Sequence, residues 1–171
     1  MDSEKTLKTM QAAVQELTKE GSKLYSAYWM EKDKMSNDLL VVSFDFIQPN
    51  GSAYSQSYFF QINKGFSDPK PDKTKLTYDE LEGLTEADFD PATIVKYYED
   101  AKAQMPEGYT YRGISDHTIR INEGNGEKQQ NFTLMVTEDG NEKVKSAGQT
   151  VIEYYELKFN VDKDGTVTLE D

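Results

Sequence analysis

Apolar residues in this chain recur with two periods, and the switch between them outlines its elements. Leu7, Met10, Val14 and Leu17 fall at helical spacing, with Lys8, Gln11, Gln15 and Glu16 on the polar side, so Ser3 to Lys19 is predicted as an amphipathic helix. Ile94, Tyr97, Tyr98, Ala101 and Met105 repeat that spacing after Asp90-Pro91, a capping residue followed by the residue best tolerated in a first helical turn. Glu20-Gly21 stops the first run and Pro106-Glu107-Gly108 the second.

Period-two alternation fills much of the rest. Lys23 to Met30 is read as a first strand. Leu39 to Ile47, with Leu40, Val42, Phe44 and Phe46 on one face, turns at Pro49-Asn50-Gly51. Ser52 to Asn63 returns with Tyr54, Tyr58, Phe60 and Ile62 alternating against Ala53, Ser55, Ser57 and Gln61. In the second half, Tyr109 to Ile114 runs on into His117 to Asn122 with a break near Gly113, and Asn131 to Thr137 places Phe132, Leu134 and Val136 inward. Val151 to Val161 reads as the longest strand, with Val151, Tyr155, Leu157, Phe159 and Val161 facing a helix, and Asp162-Lys163-Asp164-Gly165 turns into Thr166 to Leu169.

Each helix is thus followed by strands. The expected fold class is α+β, a tandem pseudo-repeat of one helix packed on a small antiparallel β-sheet. Residues 1–64 form the first half and 90–171 the second. Residues 65–89 are an acidic linker with Pro69 and Pro71, in which Thr77 to Glu80 suggests a short helix from Tyr78 to Glu82. In order of elements, though in no diagnostic motif, this plan resembles the tandem-repeat architecture of secreted β-lactamase-inhibitor-type and PepSY-like envelope domains. That resemblance implies a binding or inhibitory module.

Charge narrows the partners. The 171 residues carry 31 acidic and 19 basic side chains, a formal net charge of −12, which argues against nucleic acid and against anionic membrane surfaces. With no cysteine there is no disulfide, thiol nucleophile or cysteine metal site. No apolar run is long enough to cross a bilayer as a helix, so direct membrane insertion is not expected. The chain does not open on a signal peptide. An extracytoplasmic location, with a leader absent from this sequence, is slightly favoured over a cytoplasmic one.

Candidate chemistry is sparse. His117 is the single histidine; Ser115 and Asp116 beside it cannot supply triad geometry from one strand, so a surface or half-buried strand histidine is expected. Asn160, Asp162, Asp164, Gly165 and Asp171 match the spacing of a calcium loop, but strand-like flanks and a short final Asp favour a plain hairpin turn. No cofactor is therefore expected, calcium included, and no enzyme activity. Eleven tyrosines cannot all enter one core. The reading is a non-enzymatic recognition module presenting a Tyr-rich acidic sheet surface to a protein or glycan, with Tyr154, Tyr109, Tyr111 and Trp29 as candidate contacts. The alternatives are a small enzyme or ligand carrier with a pocket near His117, and a calcium-stabilised adhesive domain.

Overall fold

The computed structural model describes residues 1–33, 35–61, 63–146 and 149–170. Helix α1 (Glu4–Thr18) is capped by Ser3, whose side chain accepts from the Thr6 amide. It leads into β1 (Lys23–Glu31), β2 (Leu39–Ile47) and β3 (Ala53–Phe59), then two short strands, β4 (Gly65–Phe66) and β5 (Lys70–Pro71). A 3-10 turn at Glu86–Phe89 precedes α2 (Pro91–Lys102), where the Asp90 carboxylate accepts from the Thr93 amide at 2.8 Å. Strands β6 (Tyr109–Ile121), β7 (Lys128–Glu138), β8 (Lys143–Ser146), β9 (Gln149–Ile152), β10 (Tyr155–Val161) and β11 (Val167–Leu169) complete the chain.

Nine of these strands form one antiparallel sheet, in the order β11-β10-β7-β6-β1-β2-β3-β4 with β5 also on β3; β8 and β9 pair separately. This overturns the expected repeat of one helix on a small sheet. The reason lies at the centre: β1 and β6, each the first strand after a helix, pair from Ser26↔Arg120 to Met30↔Asp116. Two separate small sheets would each leave that edge unpaired, and joining them satisfies both ladders. The core is likewise common property. Leu7, Met10 and Val14 of α1, Ile94, Tyr98 and Ala101 of α2, and Trp29, Val42, Phe44, Phe132, Leu134 and Phe159 of the sheet belong to one buried cluster. Both helices therefore lie on the same face of the sheet.

Several sequence expectations hold. The β2–β3 hairpin pairs Val42 with Tyr58 and Phe46 with Tyr54, and its turn rests on Gly51 at φ +83°, with the Asn50 Oδ1 accepting from the Ser52 amide. Strand β6 runs on from Tyr109 to Ile121 as expected, but where a break was expected near Gly113 it stays continuous, taking up the irregularity as bulges on both sides of Gly113-Ile114. Other expectations need correction. Thr77 Oγ1 does donate to Glu80 and the Leu81 amide to the Thr77 carbonyl, but this makes one turn, not a helix from Tyr78 to Glu82. Helix α2 ends at Lys102, short of Met105. The stretch Val151 to Val161 is broken at Glu153-Tyr154, and β6, with 13 residues, is the longest strand among the described residues. Ile62 lies outside the described residues.

Candidate functional site

The two faces of the sheet differ in kind. Under the helices, His117 is fully buried, contrary to the expected surface or half-buried position. Its Nδ1 lies 2.8 Å from the Tyr98 hydroxyl and its Nε2 lies 2.9 Å from the Gln130 amide nitrogen. With Gln130 donating to Nε2, the ring proton sits on Nδ1 and is donated to Tyr98. Burial pushes the imidazole pKa down to about 3, so the ring stays neutral, and burial raises the Tyr98 phenol. Trp29 stacks on the imidazole and Phe132 closes the other side. A neutral imidazole with both nitrogens engaged and aromatic rings around it is a structural tie between α2, β6 and β7.

Among the described residues the opposite face carries no helix. Its cross-strand register aligns Ser57, Ser43, Tyr28, Thr118, Asn131, Asn160 and Thr168 in one row across seven strands. Every side chain in this row is uncharged and able to hydrogen-bond, and none is buried. On one flank, Phe59, Val41, Met30, Asp116, Thr133 and Lys158 are aligned in the same way. On the other run Ser55, Asp45, Ser26, Arg120 and Gln129. The rings of Tyr28 and the chain of Met30 are more than a third exposed at the centre.

One end of this face is closed. Segment 72–84 crosses it, burying Leu81 against Tyr25 and Ile47. The Tyr25 hydroxyl donates to Asp72 at 2.6 Å, Lys23 reaches the Tyr78 carbonyl at 2.8 Å, and Leu84 bridges to Leu24. Past that cover a groove of about 430 Å³ opens, lined by Tyr28, Asp116, Asn131, Thr133, Glu156, Lys158, Asn160 and Glu170 among others. Desolvation raises the Asp116 carboxyl, with Glu156 adding to the rise, while Ser115, Thr133 and Lys158 oppose it. Asp45 is raised by desolvation too, against hydrogen bonds from Ser55 and Ser26.

The residues singled out from the sequence scatter. Trp29 is fully buried on the helix side, because in a strand it must point away from its exposed neighbour Tyr28. Tyr111 is half-buried on the helix side and donates to Asp2 at 2.8 Å. Tyr109 meets Tyr155 edge to face at 5.6 Å. Tyr155 has the core-facing parity expected of it, opposite Val136, yet it and Val151 are more than a third exposed. Tyr154 sits between β9 and β10, not within a strand. In the calcium-loop spacing, Asp162 Oδ1 accepts from the Asp164 and Thr166 amides, both at 2.9 Å, which makes it the clasp of the β10–β11 hairpin. Asn160 points instead into the open groove, and Asp171 lies outside the described residues. Among the described residues no three His, Asp or Glu side chains gather as a metal-binding group.

Sequence reasoning missed Tyr28 as the centre of the open face, although the parity that buries Trp29 exposes it. Ser43, Thr118 and Asn131 carried no signal of their own, since they meet only through pairings that join distant segments. No helix among the described residues is long and apolar enough to cross a membrane. No family model, curated protein or solved structure matches the chain.

Proposed function

We propose that this protein is a non-enzymatic recognition module that binds a protein partner through the open face of its sheet, with Tyr28 at the centre. The observation that carries this reading is the row from Ser57 to Thr168. A sheet face that merely meets water tolerates Lys and Glu at such positions. This row holds Tyr, Ser, Thr and Asn instead, short or rigid side chains that lose little conformational entropy on contact. Tyr supplies rigid contact area, and Ser and Asn supply adaptable hydrogen bonds. The strands beneath are held by a fully packed core on the other side, so the surface is pre-organised.

The test is quantitative capture of a partner from the native source by wild type, Tyr28→Ala and Tyr155→Ala. Tyr28→Ala is expected to lose about 2 kcal/mol or more of binding, roughly thirtyfold in affinity. Tyr155→Ala, on the helix-side parity, is expected to bind as wild type does. Equal binding by wild type and Tyr28→Ala would defeat the proposal.

A further inference from the structure

We infer that the partner contributes an extended segment that pairs along the free edge of β11 and so adds a strand to the sheet. This rests on the recognition reading above and names the backbone chemistry of the same interface.

The β10–β11 register fixes which backbone groups face that edge. The Asp162 amide donates to the Thr166 carbonyl at 3.0 Å, and the Glu170 amide donates to the Lys158 carbonyl at 2.8 Å. With Thr168 opposite Asn160, residues 166, 168 and 170 turn their amides and carbonyls towards β10. Val167 and Leu169 turn theirs outward. The Val167 carbonyl accepts from the Gln104 side-chain amide at 2.9 Å, where a neighbouring strand's N–H would sit. Among the described residues nothing pairs with the Val167 N–H, the Leu169 N–H or the Leu169 carbonyl. Thr168, Leu169 and Glu170 are all exposed.

The opposite end of the sheet is closed by contrast. The outer side of β3 is covered by β4 and β5, with the Ser67 amide on the Ser57 carbonyl at 2.8 Å and the Asp72 amide on the Ala53 carbonyl at 2.9 Å. Pro69 and Pro71 in that cover have no N–H to offer a further strand. Val167-Thr168-Leu169 carries no Pro, Lys or bulge, the devices that keep foreign strands off an edge.

Three features select the occupant. An added strand continues the row that runs from Ser57 to Thr168, so one partner can span face and edge. Its residues opposite Val167 and Leu169 fall on the helix side and suit apolar side chains, while the one opposite Thr168 falls on the open face and suits a polar one. A second copy of this chain would bring another net charge of −12 to the contact, so an unlike partner with basic flanks is favoured.

The probe is a peptide of alternating Val and Thr with Lys at both ends, N-methylated at its Thr amides so that only its Val edge can pair. It is titrated into the isotopically labelled full chain and backbone amide shifts are followed. Saturable shifts are expected at Val167, Leu169 and their neighbours, with the Gln104 side-chain amide shifting as it is displaced. The same peptide methylated at its Val amides instead is expected not to bind. Leu169→Pro removes an outward donor and leaves the ladder to β10, as the Glu170 amide will report; it is expected to bind roughly tenfold more weakly or worse. Leu169→Ala keeps the N–H and is expected to lose less, and Gln104→Ala, which frees the Val167 carbonyl, is expected to bind more tightly. Equal binding of the two methylated peptides, shifts scattered over the acidic surface, no saturable shift, equal losses in the two Leu169 variants, or no gain in Gln104→Ala would each overturn the inference. If any of these occurs while capture of the native partner still depends on Tyr28, the edge is wrong and the recognition face stands.

Discussion

The Trp29 indole lies on the His117 imidazole, ring centroids 4.1 Å apart and planes 25° from parallel, at the pairing that joins the first strands of the two halves. The stack therefore sits where one continuous sheet replaces two small ones. The indole Nε1 is buried beside Tyr98 without a hydrogen bond of good geometry. Trp29→Phe thus loses no hydrogen bond and is expected to cost about 1–2 kcal/mol, whereas Trp29→Ala should cost about 3–5 kcal/mol. Urea unfolding measures both; equal losses would mean that the ring's packing is not what matters.

The neutral state of His117 sets a pH dependence. The native imidazole is pushed down to about 3 by burial, while the unfolded one titrates near the ordinary value of about 6.5. The unfolded chain therefore binds the extra proton first as acid is added. The contribution is fully present above the unfolded value and drains away as pH falls towards 3, reaching a loss of about 2 kcal/mol between pH 7 and pH 5. His117→Gln should be less stable at neutral pH, yet lose less over that interval. Parallel pH profiles for the two proteins would contradict the assignment.

Asp45 works in the opposite sense. Its carboxyl is raised by desolvation, so ionised Asp45 weakens the native state at neutral pH and ceases to do so as the pH drops into the carboxylate range. Asp45→Asn keeps the size and the polar contacts with Ser26 and Ser55. The melting temperature of Asp45→Asn should exceed that of wild type at pH 7, and the gain should shrink at acid pH. A lower melting temperature at pH 7 would show that the serine hydrogen bonds to the charged form outweigh its burial.

The β10–β11 turn gives a fourth test. Asp162 spends one carboxylate oxygen on two backbone amides, so Asp162→Ala should cost about 1 kcal/mol by loosening the hairpin. Millimolar calcium should leave the melting temperature of wild type unchanged. A calcium-dependent rise that Asp164→Ala removes would restore the metal reading of this loop.

Local signals in the sequence were dependable where side chain and backbone agreed. Asp90-Pro91 opens α2, and Asn50-Gly51 with flanking alternation gives the β2–β3 hairpin. Pairing between distant strands was not legible. Alternation says which residues share a face, but not that β1 would take β6 as its neighbour, and the fold class turned on that choice. The break at Glu153-Tyr154 was hidden because no Gly or Pro marks it. The same limit hid the site: Ser43, Thr118 and Asn131 come from three segments, and only the completed sheet puts them in one row with Tyr28. The abundance of tyrosine points to Tyr109 and Tyr111, but their pairing with Glu138 and Val136 places them on the helix-side parity.

Site-specific photo-crosslinking reads directly which face of the sheet meets the partner. A photoreactive residue is placed at position 28 on the open face or at position 155 on the helix-side parity, and each protein is irradiated with the partner captured from the native source. Position 28 is expected to give a crosslinked complex and position 155 none. Crosslinking from position 155 with none from position 28 would contradict the assignment of the open face as the binding surface.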